Sequence, residues 1–226
     1  MGEELLSSSP VKEQMLPGCD FKKAFLILSL IAGIAEISAL PTLSNASPAP
    51  AREYSSRGDL NSETIKDPCL GDSAETCLSR GFTYYDQGRW PEAIKAFEKA
   101  AQVAPDYQLA YFALGITYSR LEFWEKALAS FGKAIALSPY HAESYLGLGV
   151  AYTVLGRDND ALEVCRKAVQ IKPEYAEAHY ALALIYLKLG DKVSALEEWG
   201  VLKELNRGLA DEVIRFIGDE QGKHSR

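Results

Sequence analysis

Tyr111, Leu114, Gly115 and Tyr118 fall at i, i+3, i+4 and i+7, the spacing of one face of a helix. Trp124, Ala127, Leu128, Phe131, Ala134 and Ile135 repeat that spacing, so the pattern predicts a second helix after a break near Leu121–Phe123. The same pair of patterns recurs with a period of 34 residues from Ala74, Gln108, Ala142 and Ala176. Self-similarity at a fixed period of this length predicts stacked helical units, none of which buries its apolar face alone.

Counting places from those four residues, place 8 reads Gly81, Gly115, Gly149 and Ala183, and place 11 reads Tyr84, Tyr118, Tyr152 and Tyr186. Place 20 is Ala93, Ala127, Ala161 and Ala195, and place 24 is Phe97, Phe131, Cys165 and Trp199. Small residues at places 8 and 20 let the two helices of a unit approach closely, and the bulky residue at place 24 fills the space beside them. Gly88, Gly156 and Gly190 mark three of the four breaks, where a left-handed residue ends a helix at little cost. Pro105, Pro139 and Pro173 stop the second helix of the first three units. Arg207 stands where the fourth proline would be, and the chain continues into Leu209, Val213, Phe216 and Ile217, an apolar face suited to a capping helix over residues 209–217.

The pattern Tyr111-x2-Leu114-Gly115-x2-Tyr118, Ala127-x3-Phe131, Ala134, Pro139 resembles the tetratricopeptide repeat. The resemblance covers residues 74–207. It implies an all-α fold, a right-handed α-solenoid of helix-turn-helix repeats with a C-terminal capping helix. The expected organisation is a signal peptide or N-terminal anchor over 1–46, a linker over 47–73, repeats over 74–107, 108–141, 142–175 and 176–207, and a capping helix and tail over 208–226. Arg80 departs from the leucine of place 7, which suits a first unit with no earlier repeat to cover that face.

The resemblance also implies a concave groove lined by the first helix of each unit. Its places 5 and 9 are Leu78 and Phe82, Phe112 and Ile116, Leu146 and Val150, Tyr180 and Leu184. The family's clamp for acidic peptide tails needs Lys and Asn on that surface, and here the matching places are apolar. The implied ligand is therefore a helix or extended segment of a partner protein, held by apolar contacts. An alternative stays open at this point: the same stripe can be packing between units, with no ligand.

The rest of the chain bears on location. Ala24 to Ala35 is an apolar run of twelve residues directly after Lys22 and Lys23. That is too short to span a bilayer, which takes about 20 residues, and it fits a secretory signal peptide. Small residues at Gly33-Ile34-Ala35 and Ser44-Asn45-Ala46 offer two cleavage sites, and Met15 offers an alternative start with a shorter charged region. An uncleaved anchor is the second reading and a chance apolar run in a cytosolic protein the third. Under the first two, the repeats are exported to the periplasm or secreted, or held outside the cytoplasm by the anchor. Residues 47–72 are polar and broken by Pro and Gly, which reads as a tether.

Composition excludes more than it selects. A formal net charge of −7 argues against nucleic acid as a partner. None of His141, His179 and His224 has metal-ligand spacing with Cys or carboxylates, and neither a phosphate-binding glycine loop nor a nucleophile elbow is present. No catalytic, cofactor or metal residues are therefore expected. Cys69 and Cys77 flank the start of the first helix and could form a disulfide worth about 2–3 kcal/mol in an oxidising compartment. The expected role is a non-catalytic scaffold or adaptor for a protein or peptide partner, in envelope complex assembly. The alternatives are a self-assembling structural protein, hence a homo-oligomer, or an accessory subunit of an envelope enzyme.

Overall fold

The structure is a computed structural model that describes Cys69 and residues 71–223, with side chains as far as residue 218. The signal or anchor segment 1–46, nearly all of the linker and His224 lie outside the described residues. Nine helices are present among those residues: α1 (Ala74–Asp86), α2 (Trp90–Val103), α3 (Gln108–Arg120), α4 (Trp124–Leu137), α5 (Ala142–Val154), α6 (Asp158–Ile171), α7 (Ala176–Lys188), α8 (Lys192–Leu205) and α9 (Arg207–Lys223). The first eight form four antiparallel pairs, each pair one unit.

Every first helix ends in the same way. The N–H of place 16 reaches back to the carbonyl of the place 11 tyrosine at 2.8 Å in unit one and 2.9 Å in the other three. The N–H of place 15 bonds the carbonyl of place 12 at 2.9–3.2 Å. Together these are a Schellman motif, which requires a left-handed residue at place 15. Gly88, Gly156 and Gly190 supply it with φ of 70°, 74° and 80°. In unit two Glu122 takes the same conformation at φ 60°, without the freedom of glycine.

Close approach within each pair follows from places 8 and 24. A Cβ on Gly81 would lie 2.3 Å from the Phe97 ring, one on Gly115 2.6 Å from the Phe131 ring, and one on Gly149 2.3 Å from Cys165 Sγ. Phe97, Phe131 and Cys165 are fully buried as a result. In unit four Ala183 already carries that methyl, and Trp199 is left only half-buried.

The units stack in chain order, each second helix packing on the next first helix. First helices also pack on the first helices of neighbouring units, α1 on α3, α3 on α5 and α5 on α7. Among the described residues no second helix approaches another second helix. A stack whose members touch along one side and diverge along the other must curve, so the first helices form the inner wall. Buried side chains form one cluster across units one and two and another across units three, four and α9.

The capping helix is longer than its apolar face indicates, beginning at Arg207. Asn206 Oδ1 accepts the Leu209 N–H at 3.2 Å and caps its first turn. Val213 is fully buried, and Leu209 and Ile217 are buried beside it.

Candidate partner-binding surface

The inner wall carries the eight residues of places 5 and 9. The structure brings them onto one side of the stack but buries them unequally. Leu78, Phe112, Leu146, Val150, Tyr180 and Leu184 are buried, and Phe82 and Ile116 are half-buried. The contacts account for this. Phe112 meets the Phe131 ring at 6.0 Å and the His141 ring at 4.8 Å, edge to face, which wedges it between units two and three. Tyr180 donates its hydroxyl to Glu212 of α9 at 2.8 Å, so the cap engages the wall of unit four. Leu146, Val150, Tyr180 and Leu184 share one buried cluster. Phe82 stands edge-on to Phe97 at 5.1 Å and keeps part of its ring accessible. The partly accessible apolar groups on the wall are therefore concentrated in units one and two.

Polar groups on the wall are engaged with the fold. Thr117, Ser119 and Thr153 are buried, and each donates its hydroxyl to the carbonyl four residues earlier, at 2.7, 2.8 and 3.0 Å. Arg120 and Lys188, both at place 13, are cations that the apolar stripe does not reveal. Arg120 Nε donates to the Tyr85 hydroxyl at 2.9 Å. Burial pushes the Tyr85 phenol up, and Arg120 only partly counters it. Lys188 Nζ donates to Asp158 at 2.7 Å and to the Thr153 carbonyl at 3.2 Å. Lys172 and Glu143 pair at 3.0 Å. Burial pushes the Glu143 carboxyl up, but its backbone N–H, Lys172 and His141 together hold it below the usual range. Two paired cations two units apart make a poor clamp for an acidic tail.

The histidines have structural partners. His141 caps α5 by accepting the Ser144 N–H at Nδ1, 3.2 Å. His179 is buried at place 4, with Nδ1 2.6 Å from Glu198 and Nε2 2.8 Å from the Pro173 carbonyl. Burial lowers its pKa, but the two hydrogen bonds and the Glu198 charge outweigh that and raise it above the ordinary value. Among the described residues no group of three or more His, Cys, Asp or Glu could hold a metal ion. Cys69 and Cys77, the other pair singled out by sequence, are both fully buried, and their thiols share a hydrogen bond.

The helix pairs, their glycine-closed turns and the inner wall are the parts of a known repeat. The sequence profile of the TPR repeat matches residues 81–122 and 151–190. Those residues are tetratricopeptide repeats. The architecture of the chain is the α-solenoid of that family. TTC0263, a thermophilic TPR protein of Thermus thermophilus, is 25% identical with a TM-score of 0.57, over 65% of this chain and 84% of that one. MamA 41-end from Desulfovibrio magneticus RS-1 is 21% identical with a TM-score of 0.56, over 84% of this chain and 97% of that one. The first TPR of Spaghetti (RPAP3), solved bound to the HSP90 peptide SRMEEVD, is 24% identical with a TM-score of 0.51, over 52% of this chain and 94% of that one. The last two likenesses show the fold alone. No curated protein sequence matches the chain.

Proposed function

We propose that this repeat protein is a non-catalytic adaptor whose inner wall holds a helix or extended segment of a partner protein. The observation that carries the reading is the continuous first-helix wall, on which Phe82 and Ile116 keep apolar surface accessible while the cations Arg120 and Lys188 are already engaged. An apolar ligand face suits such a wall better than an acidic one. Each fully buried apolar side chain of the ligand would contribute roughly 1.5–3 kcal/mol. Placement of the repeats outside the cytoplasm, in assembly of an envelope complex, is part of the proposal and rests on the apolar run after Lys22 and Lys23.

The test is site-specific photocrosslinking in living cells with the crosslinker at Phe82 or Ile116, followed by mass spectrometry. A reproducible foreign partner at both positions supports the adaptor. Crosslinks confined to this chain sink it. A second reading, self-assembly, is favoured by one feature: Val193 is 71% exposed on α8, with Leu196 exposed three residues along that helix and Leu189 exposed in the turn before it. Light scattering decides that reading. A mass that rises with concentration and falls for Val193→Asp supports it, and a constant monomer mass ends it.

A further inference from the structure

Cys77 stands at place 4 of unit one, where the other units carry the rings of Tyr111, Tyr145 and His179. Unit one carries no ring at that place of the sequence. Cys69 approaches Cys77 from the chain before α1, and both cysteines are 0% exposed. The approach is held by groups other than sulfur. The Asp72 N–H donates to the Cys69 carbonyl at 3.2 Å, closing a turn. Arg80 donates to the Asp72 carboxylate at 2.6 Å, tying that turn to α1. Ser73 caps α1 by accepting the Thr76 N–H at 3.3 Å. Arg80, the departure at place 7, thus belongs to an N-terminal clasp that ties the chain before α1 to that helix.

We propose that Cys69 and Cys77 are a disulfide-forming pair, whose bond fastens the segment before the first repeat onto helix α1 and completes the N-terminal cap. The bond forms by exchange with a disulfide donor, either glutathione disulfide or a protein disulfide. One cysteine thiolate attacks the donor, giving a mixed disulfide and releasing one donor thiol. The second cysteine then displaces the other donor thiol. The protein loses two electrons and two protons and gains one S–S bond, and the donor S–S bond is reduced to two thiols. Burial, then the hydrogen bond to Cys77, pushes the Cys69 thiol up to about 12. Thiolate is therefore scarce in the folded state, and exchange is slow until the turn opens. Cys165 is also pushed up to about 12 by burial, but it packs in unit three beside Gly149 and serves as the internal control.

The experiment takes the full chain through unfolding and refolding in urea under graded mixtures of reduced and oxidised glutathione. Samples are acid-quenched, alkylated and digested with trypsin. Lys66 and Arg80 bound one tryptic peptide, so residues 67–80 carry both cysteines. The expected result is that this peptide loses two hydrogens and takes no alkyl group in oxidising mixtures, while Cys165 stays alkylated. Cleavage after Glu75 then leaves two pieces joined until reduction. The oxidised protein melts higher than the reduced one. Cys69→Ser, in the turn, abolishes the difference, and Cys165→Ser or Cys165→Ala keeps it. Double alkylation of the 67–80 peptide at every ratio overturns the proposal. So does glutathione stably attached to either cysteine, or a bond from either to Cys19 or Cys165.

Discussion

Phe131 is the residue on which the fit between units two and three depends. It is 2% exposed and lies between two glycines on different helices. A Cβ on Gly115 of α3, or on Gly147 of α5, would stand 2.6 Å from the ring. Phe131→Ala should therefore cost about 3–5 kcal/mol through loss of burial and the cavity left behind. Gly115→Ala should cost about 1–3 kcal/mol by overpacking, offset in part by about 1 kcal/mol of helix propensity. With the ring removed, the sign changes. The added methyl then fills empty space and contributes about 0.8 kcal/mol, and the propensity gain is kept. The coupling between the two sites is thus about 2–4 kcal/mol, at the upper end for residues in contact. Urea denaturation of the wild type, both single variants and the double variant measures it, with midpoints compared at constant m. If Phe131→Ala leaves too little folded protein, Phe131→Leu takes its place with a smaller expected coupling. Gly147→Ala run through the same cycle reports the contact across units. The reasoning is refuted if Gly115→Ala destabilises both backgrounds equally, because the glycine would then answer to the backbone and not to the ring.

Three further perturbations have definite signs. Glu122→Gly removes a left-handed strain of about 1–2 kcal/mol and adds unfolded-state entropy worth about 0.5–1 kcal/mol, so Tm should rise by a few degrees; an unchanged or lower Tm counts against the strain at φ 60°. Asn206→Ala removes the cap on α9 and should cost about 1 kcal/mol in denaturant melts, with hydrogen exchange accelerating first at Leu209; uniform loss of protection across the chain would contradict a local cap. The His179 pKa is raised on folding, so its bond to Glu198 stabilises most at and below the ordinary value of 6.5 and is lost as pH rises through the folded value. The Tm gap between wild type and His179→Gln should therefore narrow from pH 6 to pH 9, and a gap that ignores pH would remove the charged pair from the account.

Most of the fold was legible because each structural role recurs four times at one spacing. Small residues at places 8 and 20, tyrosine at place 11 and a bulky residue at place 24 show which faces meet. The structure agrees in units one to three, where Phe97, Phe131 and Cys165 are buried, and departs in unit four, where Ala183 stands at place 8 and Trp199 is only half-buried. The break near Leu121–Phe123 shows in the pattern although it contains no glycine, and the chain turns there with the same two hydrogen bonds as in the other units. What the pattern does not show is that Glu122 takes the left-handed conformation, and that the capping helix starts at Arg207, two residues before its apolar face, with Asn206 as its cap.

The inner wall was less legible, for a physical reason. Helical spacing gives the direction in which a side chain leaves its own helix, and it says nothing of what another helix places in its path. Phe112 and Ile116 leave α3 in nearly the same direction. Phe112 meets Phe131 and His141, which follow it by 19 and 29 positions, and is buried, while Ile116 keeps partial exposure. Tyr180 reads as a wall residue until Glu212 of the cap engages its hydroxyl. Perturbing a buried place such as Phe112 therefore damages the stack before it tests any ligand. Phe82 and Ile116 can report binding apart from stability. A polar change there that abolishes crosslinking while the melt is unchanged would separate recognition from folding, which no substitution at the six buried places can do.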